Sequence, residues 1–138
     1  MNVQLNYEEV LSFVESQYHI RPTVRAVDDA TLSVAYKVNT IVPAVLMALR
    51  VDEVSKETVT FSYNCSNIVA GLLKGFAPLI EKKIPKHEIE ISTDERKVRI
   101  HLSEIKQLEK VLEYVVPTEI VFKEESVNIG LRMIVKGG

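Results

Sequence analysis

The chain has 138 residues, of which 46% are hydrophobic and 26% are charged, and its formal net charge is −2 at pH 7. This is the size and composition of an ordinary globular domain, so we predict a single domain over residues 1–138. The net charge argues against a protein that binds nucleic acid mainly through phosphate contacts, because such proteins typically have a surplus of basic residues.

The N-terminus and the cysteine content set the expected location. Residues 1–9 have no basic start and no long apolar stretch, which argues against a secretory signal. No run approaches the roughly 18 apolar residues of a transmembrane helix. The single cysteine, Cys65, cannot form an intramolecular disulfide. The expected location is the cytoplasm.

The first predicted element is a helix from Asn6 to about Tyr18. Its apolar residues recur at helical spacing, at Tyr7, Val10, Leu11, Val14 and Tyr18. Asn6 and Glu9 have the spacing of a capping box, in which each side chain accepts a hydrogen bond from the other's backbone. Pro22 ends the helical pattern.

Alternating apolar and polar residues then predict two β-hairpins. The first joins strands at 23–27 and 31–38 across a turn at Asp28-Asp29. The second joins a strand ending at residue 54 to a strand at 58–63. Residues 41–49 are apolar at consecutive positions and also fit a helix beginning near Pro43. We prefer a central strand, because residues 50–54 continue it into a turn.

A second helix is predicted from Ser66, a good N-cap, to about Lys83. It is apolar around most of its circumference, at Ile68, Val69, Leu72, Leu73, Phe76, Leu79 and Ile80. Such a helix must be buried or must meet a partner. Gly71 and Gly75 have a spacing that lets backbones approach closely, and we interpret them as the side that packs against the sheet.

Two more hairpins are predicted, with a third helix between them. The first joins residues 89–91 to 98–102, and the last runs from Thr118 to Val135. Between them, Ser103 is expected to cap a helix that ends at Pro117. Its apolar stripe consists of Ile105, Leu108, Val111, Leu112 and Val115.

These elements predict an α+β fold. Hairpins that follow one another favour antiparallel pairing, because parallel neighbours need a crossover connection. We expect a curled antiparallel sheet of amphipathic β-hairpins with about three helices. The apolar helix near residues 66–83 is expected to pack on the concave face.

Familiar catalytic and metal-binding motifs are absent from the sequence. It has no Gly-rich phosphate loop, His-Glu-x-x-His, paired-cysteine motif or nucleophile elbow. His19, His87 and His101 fit no metal-ligand spacing, so neither a metal nor another cofactor is expected. Cys65 lies where a strand meets a helix N-terminus, which favours a reactive thiolate, although a small buried side chain is the alternative interpretation. The sequence favours a non-enzymatic protein.

We consider three hypotheses for function. The first is a binding module for an apolar or amphipathic small ligand held between the apolar helix and the sheet. Its predicted lining is Phe61, Tyr63, Leu72, Phe76, Ile100 and Met133, and the alternative is that these residues form a dry core. The second is a self-associating structural or scaffold protein, a homo-oligomer without a ligand. The third is an unfamiliar enzyme that uses Cys65.

A further option concerns the lysines that follow the apolar helix. Lys82, Lys83 and Lys86 suit the negative C-terminal end of the helix dipole. They also leave open a peripheral contact with an anionic surface such as a membrane.

Overall fold

The computed structural model describes residues 1–37 and 44–134. Within these ranges the chain forms two α-helices and nine β-strands, all paired antiparallel. The helices are α1 (Tyr7–Tyr18) and α2 (Asn67–Lys83). The strands are β1 (Asn2–Asn6), β2 (Thr23–Asp28), β3 (Thr31–Tyr36), β4 (Val45–Val54), β5 (Thr58–Asn64), β6 (Ile89–Ser92), β7 (Lys97–His101), β8 (Val115–Phe122) and β9 (Ser126–Met133).

The α+β class and the antiparallel pairing are therefore confirmed. So is the preference for a strand over residues 45–49, which belong to β4. The predicted strand positions Val38, 41–43 and Val135 lie outside the described residues.

The larger sheet has six strands in the order β2-β3-β4-β5-β7-β6. The chain leaves β5, passes through α2 and returns as β6 on the far side of β7. Because β5 and β6 are both antiparallel to β7, they run parallel to each other, and α2 is the crossover between them.

The registers of this sheet place its apolar residues on one face. Leu49 lies opposite Tyr63, Val51 opposite Phe61, and Phe61 opposite Val98. Residues directly opposite each other point to the same side of a sheet, and residues two apart on a strand do so as well. The alternation seen in the sequence therefore predicts correctly that each strand has one apolar side.

The smaller sheet has three strands in the order β1-β9-β8. It packs on the apolar face of the larger sheet, where Phe122 and Val127 meet Val59 and Phe61 in one core cluster. The expectation of one curled sheet is therefore wrong, and the described strands form two. The β8–β9 hairpin pairs with no described strand of the larger sheet, and its other partner is β1, which sequence reasoning missed and which lies at the other end of the chain.

The predicted helix from Ser103 to Pro117 is also wrong. Short 3-10 turns occupy Leu102–Glu104, Lys106–Leu108 and Val111–Glu113, and β8 already begins at Val115. Both ends of the segment are held by residues next to strands. The Leu102 N–H donates to the carbonyl of Glu57, which precedes β5, at 2.7 Å, and the N–H of Ile134, which follows β9, donates to the Tyr114 carbonyl at 2.8 Å. These tertiary contacts override a local helical preference.

The helix caps form as predicted. The Glu9 N–H donates to Asn6 Oδ1 at 2.8 Å, and the Asn6 N–H donates to Glu9 Oε1 at 3.2 Å, so the capping box is complete. At α2, the Val69 N–H donates to Ser66 Oγ at 3.2 Å. Each bond satisfies a backbone donor that the helix itself leaves unpaired.

Candidate binding surface

Helix α2 presents two apolar stripes, one turned toward the sheet and one on the adjoining side of the helix. The first, which we call the inner stripe, consists of Val69, Leu73, Ala77 and Ile80. The second, the outer stripe, consists of Ile68, Leu72, Phe76 and Leu79. Both follow a spacing of four, four and three residues, so each lies along one side of the helix. Each outer residue directly precedes an inner one in sequence, which places the stripes about 100° apart around the axis.

The inner stripe fixes α2 on the sheet. Leu73 is 3% exposed and packs in a cluster with Val45 and Tyr63, and Val69 and Ile80 pack against the same cluster. Because Val59, Phe61 and Tyr63 alternate along β5, α2 covers the same face of the larger sheet as the smaller sheet does. The apolar helix therefore packs against the larger sheet, and the concave face of a curled sheet that was predicted for it stays a prediction.

The outer stripe remains in contact with solvent. Ile68 is 78% exposed and Leu79 is 52% exposed, whereas Leu72 and Phe76 are half-buried. Among the described residues, neither Leu72 nor Phe76 belongs to the two core clusters. A single exposed apolar residue is ordinary on a protein surface, whereas several along one side of a helix make that side a candidate interaction surface.

Gly71 and Gly75 border the outer stripe and not the sheet. A Cβ atom built at either position meets nothing within 4 Å, and both residues are exposed. The interpretation of this pair as a close contact with the sheet is therefore wrong. The physical reason is the helical period, which places these glycines on the side opposite the inner stripe.

Helix α2 and the residues that flank it carry a positive net charge. Lys74, Lys82, Lys83 and Lys86 against Glu81 give residues 66–87 a formal charge of +3, in a chain whose net charge is −2. The ion pairs found among the described residues involve none of these four lysines. Lys82 and Lys83 follow Leu79 by three and four residues, so both lie on its side of the helix.

The space between α2 and β6 is small. A crevice of about 30 Å³ runs between the helix and β6, lined by Leu73, Ala77, Ile80, Glu81, Ile84, Lys86, Ile89, Ile91 and Thr93. A buried water needs roughly 10–15 Å³ of such space, so the crevice admits about two water molecules. Small-ligand pockets are typically ten times larger.

The six residues predicted to line a ligand site lie in three places. Phe61 and Ile100 belong to the core beneath the smaller sheet, and Tyr63 belongs to the cluster beneath α2. Leu72 and Phe76 lie on the outer stripe. Met133, at the end of β9, is 56% exposed. The structure brings Phe61 and Ile100 together in one cluster and Leu72 and Phe76 together on one helix side, and ligand binding by the six as a set stays a prediction.

Cys65 lies between β5 and α2, as the sequence predicts, and is half-buried. Its carbonyl accepts a hydrogen bond from Arg96 Nη1 at 3.4 Å. Burial raises the pKa of the nearby Tyr63 hydroxyl, and the positive charge of Arg96 opposes this rise. Cys65 also lines a solvent-open basin of about 500 Å³, whose described lining contains no histidine to serve as a base. Thiol reactivity stays a prediction.

The histidines do not meet at one place. His19 ends α1, His87 Nε2 lies 3.9 Å from a carboxylate oxygen of Glu88, and His101 Nε2 lies 3.4 Å from Glu90 Oε1. In residues 1–37 and 44–134, no group of three or more His, Cys, Asp or Glu side chains is arranged to hold a metal ion. The same residues contain no helix long and apolar enough to cross a membrane.

Sequence reasoning found this helix but not which of its apolar residues stay exposed. The signal was its apolar character around most of the circumference, which indicates burial or a partner without saying which residues face outward. Comparison with known proteins adds nothing to this assignment, because no family model, curated protein or solved structure matches the chain.

Proposed function

We propose that the protein is a non-enzymatic binding module that holds an apolar or amphipathic partner on the outer stripe of α2. The observation that carries this proposal is the exposure of Ile68 and Leu79 on a helix whose inner stripe already packs on the sheet. Covering these side chains removes apolar area from water, which stabilises a complex by about 25 cal/mol for each Å² buried.

The proposed surface keeps two of the residues predicted to contact a ligand. Leu72 and Phe76 lie between Ile68 and Leu79, and their half-buried side chains extend the apolar surface along the helix. The outer stripe is favoured over the crevice between α2 and β6, because that crevice measures about 30 Å³. A partner on the outer side needs no opening of the core.

The outer stripe can be tested with micelles of the uncharged detergent dodecyl maltoside. We expect backbone amide chemical shifts to change for residues 67–83 when micelles are added to the whole chain. The double variant Ile68→Ser/Leu79→Ser should remove these changes. The matched control is Val111→Ser, which alters an apolar side chain that is 51% exposed and lies outside α2.

Two results would overturn the proposal. One is a set of shift changes spread over β8 and β9 with none in α2. The other is an unchanged response in the double variant. Urea unfolding of each variant provides the check that the substitutions leave the fold intact.

A further inference from the structure

The charge around the outer stripe narrows the kind of partner. Residues 66–87 carry +3, so the remaining residues carry −5 to reach the net charge of −2. The positive charge is therefore concentrated on α2 and the residues that directly follow it. Lys82 and Lys83 flank Leu79, the exposed residue at the C-terminal end of that stripe.

This combination suits a partner that is apolar below a negatively charged surface. A helix that lies in a membrane interface inserts its apolar side between the acyl chains and places lysines among the headgroups. Long lysine side chains reach the headgroup level while the helix axis stays close to the apolar boundary. The 17 residues of α2 span about 25 Å, enough for several lipid headgroups.

A second copy of the chain fits the same surface less well. In a symmetric antiparallel pair of α2 helices, the Lys82–Lys83 end of each helix meets the positive N-terminal end of the other. In a parallel pair, the lysines of the two helices meet one another. Both arrangements bring positive charge to positive charge, whereas an anionic lipid surface offers the complementary sign.

We infer that the outer stripe of α2, with Lys82 and Lys83, docks on the surface of an anionic lipid membrane. This inference rests on the proposed function, since it names the partner of the same stripe. The helix lies on the membrane and does not cross it. The electrostatic attraction weakens as salt is added, because headgroup and lysine charges are screened.

The test is co-sedimentation of the whole chain with vesicles of two compositions, phosphatidylcholine alone and an equimolar mixture with phosphatidylserine. We expect binding to the mixed vesicles, reduced by added salt, and much weaker binding to phosphatidylcholine. Lys82→Gln/Lys83→Gln should weaken binding to the mixed vesicles about thirtyfold, from the contribution of a lysine near an anionic surface. Ile68→Ser/Leu79→Ser should weaken it about a hundredfold or more.

The matched charge control is Lys106→Gln/Lys110→Gln, which removes two exposed lysines from the segment between β7 and β8. It should leave vesicle binding within about twofold of the parent, because neither lysine lies on α2. Equal loss in this control and in Lys82→Gln/Lys83→Gln would overturn the inference, since net charge alone would then explain the binding. The urea midpoint of each variant reports that it is folded.

The outcomes separate the inference from the function it rests on. Equal binding to both kinds of vesicle overturns the inference that the partner is an anionic membrane, and so does an absence of vesicle binding while dodecyl maltoside still contacts α2. Either result leaves the outer stripe as the proposed binding surface. Loss of both micelle and vesicle contacts overturns both. If light scattering shows a dimer that depends on Ile68 and Leu79, the partner of the outer stripe is a second copy of the chain and the membrane inference is overturned.

Discussion

The apolar face of the larger sheet is covered by the smaller sheet at one end and by α2 at the other, and the two covers are buried to different extents. Strand β8 alone buries Val115, Val116, Pro117 and Phe122, whereas among the described residues of α2 the buried one is Leu73. These four side chains of β8 stabilise the fold by their burial. Helix α2 contributes one stripe to the fold and keeps a second stripe exposed, which is what a helix with a partner requires.

The largest expected effect comes from the smaller sheet. Phe122→Ala removes a large side chain from the cluster that joins the two sheets, where Phe122 is buried against Val59 and Phe61. We expect the free energy of unfolding to fall by about 3–5 kcal/mol. Leu79→Ala on the outer stripe should change it by less than about 0.5 kcal/mol. Urea denaturation measures both changes. Similar losses of unfolding free energy would show that the outer stripe and the smaller sheet contribute equally to stability, contrary to this account.

The next effect depends on pH and concerns the segment that joins α2 to β6. Tyr18 is 2% exposed, and its Oη donates to Glu88 Oε1 at 3.4 Å. Burial and the Glu88 charge raise the pKa of Tyr18 from 10.0 to about 12. The neutral phenol therefore stabilises the folded state fully below pH 10, and this contribution disappears as the pH rises through 12.

The loss should reach about 2–3 kcal/mol, because each pKa unit corresponds to about 1.4 kcal/mol. Tyr18→Phe should remove this part of the pH dependence, since phenylalanine has no group to ionise. Unfolding measured at a series of alkaline pH values tests this. If the free energy of unfolding falls with pH equally in the parent and in Tyr18→Phe, Tyr18 is not the source of this pH dependence.

The glycines give a smaller and opposite pair of effects in the two covers. A Cβ atom at Gly130, in β9, would lie 2.6 Å from Glu119 Cγ and 2.9 Å from Thr118 Oγ1, so Gly130→Ala should destabilise the fold by about 1–3 kcal/mol. Gly75→Ala meets open space on α2 and should stabilise by about 0.5–1 kcal/mol through helix propensity. Thermal unfolding shows whether each variant is stabilised or destabilised. A loss of stability in Gly75→Ala would mean that this side of α2 packs against another part of the chain.

Much of the fold follows from local patterns. The period-two alternation of strands such as β5, and the caps at Asn6 and Ser66, depend on residues close together in sequence. The helix from Ser103 was predicted because Ile105, Leu108 and Leu112 have helical spacing. The prediction was wrong because the contacts at both ends of the segment, which a local pattern does not show, override this preference. Strand β1 was missed because its partners are the residues from Ser126 to Gly130 at the other end of the chain.

The candidate surface was predictable in part. The apolar circumference of α2 is visible in the sequence, and so are the lysines after Leu79. Which stripe faces inward depends on the strands beneath it, because Leu73 is selected by its contact with Val45 and Tyr63. The order of strands is set by non-local pairing and is not encoded in any local pattern.

Hydrogen–deuterium exchange of the whole chain, with and without equimolar phosphatidylcholine–phosphatidylserine vesicles, tests the central claim most directly. If the outer stripe of α2 is the docking surface, vesicles should slow exchange in peptides covering residues 67–83 and leave the β8–β9 hairpin unchanged. Slower exchange confined to the smaller sheet, or unchanged exchange in α2 with the protein bound, would contradict the account.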